Sequence, residues 1–232
     1  MNMKNLLIVS CTQKSHPDDS LLEKSINYID SDYQFIDVEW VTRNTTGLPA
    51  VYNRFITEEN AKYYDNILFV HDDVWIDDEM IADKIGWAMM DYDIVGVAGA
   101  LNPKIQHPSL WHMMSERKDH RGQAGHFVNQ QKTKSFGEPC YMTSFGVTPS
   151  RVAVVDGVFV AVNLRAVLDK KWKWNENFTF HHYDIASCID ANNLGLRIGV
   201  YPINIYHASP GLKSLEDPVW SASNKKFLEL YA

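Results

Sequence analysis

The chain has 232 residues, 45% of them hydrophobic and 22% charged, with a formal net charge of −7 at pH 7. That is enough for one sizeable core in an ordinary soluble α/β domain, and the acidic balance excludes sequence-independent binding to nucleic acid, which needs a basic face. No apolar run reaches the length of a bilayer crossing, and Cys11, Cys140 and Cys188 form neither a disulfide framework nor a zinc spacing, so a reducing, cytoplasmic setting is expected.

"LLIV" at 6–9 reads as a first buried strand, followed by the turn-like "SCTQKSHPDDS" and a helix over "LLEKSINYI". "YQFIDVEWV" is rich enough in β-branched and aromatic residues for a second strand. "TRNTTG" is loop chemistry, and "LPAVYNRFITEEN" then reads as a helix. "NILFV" at 66–70 is a third strand, "DEMIADKIGWAMMDY" a helix and "IVGVAGA" a fourth strand. Apolar strands alternating with helices predict a mostly parallel central sheet flanked by helices. In such sheets ligands bind beyond the carboxyl ends of the strands, where His71, Asp72 and Asp73 follow the third one.

Residues 102–150 break this regularity with Pro103, Pro108, Pro139 and Pro149, and read as a long functional loop that could serve as a lid. "RVAVVDGVFVAV" predicts two short strands around Asp156 and Gly157, and "RAVLDK" a helix. The aromatic "WKWNENFTFHHYD" leads into a helix, "IASCIDANNLG", with a glycine cap. "LRIGVYPINIYH" reads as a closing strand, and 209–232 as a tail with a docking helix after a single domain spanning 1–208.

Three constellations could carry chemistry. In "HDDV", Asp73 and one neighbour could hold a divalent cation through carboxylate oxygens; a solvated strand end is the plainer reading. The His–Asp adjacency is also shared with metal phosphohydrolases, which however carry their ligands on helices. Asp184, at a helix start after His181, His182 and Tyr183, is placed to act as a general base or simply as an N-cap. His207 ends the last strand and could join a carboxylate at Mn²⁺. Asp156–Gly157 could be a tight turn, or a place where backbone comes close to a bound sugar.

Taken in order, "GLPAVYN", "FVHDDV", "VDGVFVAV", "FHHYD", "GLRIGVYP" and the late His207 closely resemble the family-2-like glycosyltransferases of the GT-A (Rossmann-like) fold, from Leu6 to His207. The resemblance implies an inverting transfer of a sugar from a nucleotide-sugar donor, a UDP-hexose before a GDP-sugar, to the hydroxyl of a glycan or other acceptor. It implies Mn²⁺ or Mg²⁺ on Asp73 and His207, with Asp72 on the metal or the ribose and His71 on the nucleotide. Asp184 would be the catalytic base, with Tyr183 in place of the usual Glu. Ser10, Cys11 and Thr12 would line the base pocket, Glu39 would meet the uracil, and Asn44 and Asn53 would face nucleotide or phosphates. Asp156, Gly157, Trp111, Trp174 and His182 would border donor and acceptor sugars. A non-catalytic sugar-nucleotide or glycan binder of the same fold is the alternative.

Overall fold

The computed structural model describes residues 5–29, 36–127, 139–208 and 214–232. Its first sheet is built from β1 (Asn5–Cys11), β2 (Ile36–Val41), β3 (Tyr64–Val70), β5 (Ile94–Gly96), β9 (Ser150–Arg151), β11 (Phe159–Asn163) and β12 (Ile198–Val200). Their order is β2-β1-β3-β11-β5-β12-β9. β1 runs parallel to both β2 and β3, and β12 parallel to β5. β11 is antiparallel to both its neighbours, so the sheet is mixed where the apolar strands predict a mostly parallel one. The reason lies in the connection. Among the described residues no α-helix lies between β5 and β11; the chain turns at Asp156–Gly157 and enters with Phe159 opposite Val70, the last residue of β3.

A second sheet, in the order β10-β6-β7-β13-β4 with β8 beside β7, begins just past the carboxyl end of β3, with β4 starting at Val74. It comprises β4 (Val74–Ile76), β6 (Ala98–Ala100), β7 (His120–Phe127), β8 (Cys140–Gly146), β10 (Val154–Val155) and β13 (Ile205–His207). The expected loop over 102–150 therefore contains two strands; residues 128–138 lie outside the described residues. "HRGQAGHF" hides its strand because glycines replace the apolar alternation. Gly122 has φ +91°, and a Cβ there would sit 1.9 Å from the carbonyl oxygen of Val97. The expected closing strand is divided: β12 joins the first sheet and β13 the second, with Pro202, which has no N–H to give a ladder, between them.

The helices are α1 (Leu21–Tyr28), α2 (Leu48–Tyr52), α3 (Ile81–Asp91), α4 (Leu164–Asp169), α5 (Tyr183–Asn193) and α6 (Pro218–Tyr231). α2 stops well short of the helix expected through Asn60. Asn53 ends it by giving its side chain to another segment: its amide donates to the Trp174 carbonyl at 3.0 Å and accepts from the Trp174 N–H at 2.9 Å. α6 is capped by Asp217, whose carboxylate accepts from the N–H groups of Val219 and Trp220, both at 2.9 Å. It buries Trp220, Asn224 and Phe227, a helical i, i+4, i+7 stripe, toward the body of the fold.

Candidate functional site

The strand ends bring three ligand-bearing side chains together. His71 follows β3, Asp73 follows it by two, and His207 ends β13, which pairs with β4 so that His207 lies opposite Val74. One ligand atom from each of His71, Asp73 and His207 lies within 4.8 Å of the others. The cluster differs from the expected set in one member: His71 joins and Asp72 stays outside. His71, Asp72 and Asp73 form the turn between β3 and β4, with the Val74 N–H 3.4 Å from the His71 carbonyl.

The electrostatics of the three are coupled. Burial pulls the His207 imidazole down, but the Asp73 carboxylate beside it and the more distant Asp156 outweigh this and raise its pKa. For Asp73 burial works upward, and His207 and His71 overcome it and hold the carboxyl below its usual range. His71 is lowered, chiefly by burial and also by His207, against the pull of Asp73 and Asp156, which favours its neutral form. Asp73 Oδ1 and His207 Nε2 stand 3.2 Å apart, and beyond this contact neither atom has a hydrogen-bond partner. Single buried polar atoms without partners also occur in the core, at Tyr52 Oη and Trp174 Nε1 among others. Among the described residues, only at Asp73 and His207 do two such atoms face one another inside a three-ligand cluster. That donor set, two neutral-capable imidazoles and a carboxylate, fits a divalent transition metal.

A second group adjoins it through Gly157. The Gly157 N–H donates to Asp184 Oδ2 at 2.9 Å, and its carbonyl accepts from the Tyr183 hydroxyl at 2.8 Å. Tyr183 and Asp184 thus grip the two ends of one residue. A Cβ at position 157 would lie 2.6 Å from Tyr183 Oη and 2.9 Å from Asp184 Cβ, so the glycine is required by these two side chains. The same hydroxyl is 3.3 Å from His71 Nε2. Asp184 is half-buried; desolvation first, and the neighbouring Asp156 second, push its carboxyl up to about 7, against hydrogen bonds from backbone N–H groups. Asp156 is held on both oxygens, by the Val158 N–H at 3.0 Å and the Trp111 indole at 2.8 Å.

Other expected residues fall in three places. Near the end of β1, the Ser10 hydroxyl donates to the Val70 carbonyl at 2.8 Å, joining β1 to β3, and Thr12 Oγ1 accepts from the Lys14 N–H at 3.3 Å. Burial, and then the Asp72 charge, push the Cys11 thiol up to about 12. Glu39 is exposed on β2, opposite Val9, and Asn44 closes its own loop through Thr46 at 2.9 and 3.0 Å. Asn53, committed to the Trp174 segment, has no side-chain amide group directed to the cluster.

The aromatics are redistributed. Trp172 and Trp174 are both in the core, Trp174 only 3% exposed against Tyr52, Phe69 and Tyr183. His182 is buried between Trp220 and Phe227, with Nδ1 2.8 Å from the Ser223 hydroxyl. The open ring is Phe180, 53% exposed and stacked on His71 with centroids 5.8 Å apart. Sequence reasoning passed over Phe180, over the Tyr183 hydroxyl and over His126, which stands opposite His207 in the β7–β13 ladder. The run "FHHYD" contains the first two, but only the turn before α5, where His182 takes φ +65°, decides which ring faces out.

A mixed α/β sheet, followed past the end of β3 by a second sheet and presenting carboxylates and imidazoles there, is the GT-A architecture. The chain belongs to the glycosyltransferase-like family, which it matches over residues 18–231. No curated protein matches it in sequence. In structure it is similar to A197 from STIV, with a TM-score of 0.50 at 14% identity over 88% of this chain and 85% of that one. The mannosyltransferase PcManGT from Pyrobaculum calidifontis, in complex with GDP-Man and Mn²⁺, aligns with a TM-score of 0.48 at 12% identity, over 97% of this chain and 63% of that one. GalNAc-T7 with UDP, GalNAc and Mn²⁺ aligns at 0.47 and 9% identity, over 89% of this chain and 44% of that one. The chain spans less than two thirds of the latter two. Among the described residues no helix is long and apolar enough to cross a membrane.

Proposed function

We propose that the protein is a metal-dependent, inverting glycosyltransferase that takes a hexose from a nucleotide-sugar donor, a UDP-hexose first, and passes it to an acceptor hydroxyl. The observation that carries this reading is the meeting of His71, Asp73 and His207 within 4.8 Å, with Asp184 joined to the same cluster through Gly157 and Tyr183. Asp73, His207 and His71 would hold Mn²⁺ in preference to Mg²⁺, because two of the three donors are imidazoles. When bound, the cation would supply positive charge against the diphosphate that leaves.

Asp184 takes the proton of the acceptor hydroxyl as that oxygen bonds to the anomeric carbon. The bond from that carbon to the diphosphate oxygen breaks on the opposite face, which inverts the configuration. A carboxyl raised to about 7 suits this role, since a base works best with a pKa near the working pH. Its held oxygen, Oδ2, takes the Gly157 N–H, which fixes the direction of the other. Phe180, exposed over His71, offers an apolar face for a sugar ring. Ser10, Cys11, Thr12 and Glu39 lie along the end and edge of β1 and β2, where the base and ribose would sit.

Calorimetric titration with UDP, with and without Mn²⁺, on wild type and Asp73→Asn tests the donor site. Binding that needs both the metal and Asp73 supports the reading. Absence of metal-dependent binding for UDP, GDP and the other nucleoside diphosphates would overturn it.

A further inference from the structure

We infer that Tyr183 is a positioning residue for the metal: its hydroxyl fixes the tautomer of His71 so that Nδ1 is left bare as a third ligand beside Asp73 and His207. The inference rests on the metal reading above and goes beyond it, because neither Tyr183 nor a particular His71 nitrogen belongs to the site as expected.

The argument is one of counting protons. A tyrosine hydroxyl has a single proton to donate, and a carbonyl oxygen can only accept. The Gly157 carbonyl lies 2.8 Å from Tyr183 Oη, so the proton is committed there. Toward His71 Nε2, 3.3 Å away, the same oxygen presents lone pairs alone. An attractive contact on that side needs a proton on Nε2. In a neutral imidazole the proton on Nε2 leaves Nδ1 without one, and a bare nitrogen is what a cation binds. Ligating histidines generally give their second ring N–H to such an acceptor, which fixes the ring's orientation as well as its tautomer.

The surroundings hold the relay in place. Tyr183 is 2% exposed, packed edge-on against Tyr52 and beside Trp174, so its ring has little room to turn. Position 157 must be glycine for the hydroxyl to reach the carbonyl, since a Cβ would stand 2.6 Å from it. The backbone N–H of His71 donates to Val158, one residue beyond the gripped glycine, at 3.1 Å. The same short turn therefore fixes His71 from its backbone side and from its ring side. Phe180 covers one face of the imidazole. The tyrosine in the place of the resemblance's glutamate thus has a part of its own, which that glutamate would meet differently: an ionised carboxylate could accept from His71 but could not donate to Gly157.

Two measurements test this. In metal-free, ¹⁵N-histidine-labelled protein, long-range proton–nitrogen NMR reads the tautomer directly, with the His71 signals assigned by their loss in His71→Ala. Nε2 protonated and Nδ1 bare is the expected result; the reverse tautomer would overturn the inference. Mn²⁺ titration followed by electron paramagnetic resonance then compares wild type, Tyr183→Phe, His71→Ala and the double variant. Tyr183→Phe should weaken Mn²⁺ binding about 10- to 100-fold. The double variant should bind no worse than His71→Ala, because Tyr183 acts through His71. Unchanged affinity in Tyr183→Phe, or losses that simply add, would overturn the positioning role while leaving the metal reading intact. Wild type that binds no Mn²⁺ would overturn both. If Tyr183→Phe does not fold, the wild-type tautomer and the His71→Ala titration still decide.

Discussion

His207 and His182 are both drawn away from water to some degree, and their pKa values have moved in opposite directions. His207 is raised, because Asp73 and Asp156 outweigh its burial. His182 is lowered to about 4, by burial first and by His181 second. A facing carboxylate makes the difference, and with it the two regions part in purpose. At the strand ends, polar atoms are kept close and incompletely paired, as at Asp73 and His207. On the α5–α6 side, His182 is sealed between Trp220 and Phe227 with Ser223 on one nitrogen. The second region supports the first: His182 is the left-handed residue that starts α5, and Tyr183 and Asp184 come next in the chain. Changes in the first region should therefore cost activity with little stability, and changes in the second the reverse.

The sharpest break of that comparison is Asp184→Asn, which should lower sugar transfer by about 10²- to 10⁴-fold while donor binding persists. The check is initial-rate kinetics beside UDP calorimetry, and a transfer rate near wild type would remove Asp184 from the base role. Phe227→Ala should cost about 3–5 kcal/mol of stability by opening a cavity under His182. Urea unfolding reads that cost, and kcat should change little in whatever fraction remains folded.

The third prediction uses the pH dependence of both regions. His182 binds its proton less readily folded, at about 4, than at its ordinary 6.5. The unfolded chain therefore holds more protons between those values, and this group's contribution to stability is lost as pH falls through that window. His182→Phe should gain on wild type as pH drops from about 6.5 to about 4, by an amount on the order of 3 kcal/mol. Asp184 has the opposite sign: its folded carboxyl near 7 holds a proton that the unfolded one releases near 3.8. Stability from that group falls as pH rises between the two, so Asp184→Asn should gain on wild type in that direction. Denaturant midpoints of the three proteins at pH 4, 5.5 and 7 separate the effects; parallel curves would show that neither group titrates as its surroundings imply.

The smallest effect lies in the rate profile. With Asp184 as base, transfer should rise about tenfold per pH unit below 7 and level off above. A profile flat through pH 6 would place the controlling group elsewhere. Loss of the metal at low pH, where His207 competes for a proton, is separated by saturating Mn²⁺.

Much of this protein is legible in its sequence where the signal is local. The buried runs "LLIV" and "NILFV" give β1 and β3 their places, and a burst of acid after an apolar strand marks the strand end where the His71, Asp73 and His207 cluster forms. Asp73, Asp184 and His207 stand out as candidates by residue type and position, and the family match over 18–231 agrees with the family that the motifs resemble. Tertiary structure alone decided the rest. It made β7 from a glycine-rich stretch, because close approach of Val97 and Tyr206 admits no side chain at Gly122 or Gly125. It turned β11 against its neighbours, since the chain reaches it by a tight turn, with no α-helix between β5 and β11 among the described residues. It sent Trp174 and His182 inward and Phe180 outward, and chose His71 over Asp72 for the cluster. Composition and period record how often a chain must turn a side chain toward a core. Which of several adjacent polar or aromatic groups meets a partner depends on segments about a hundred residues away, as with Asn53 and Trp174, and no local pattern encodes that distance.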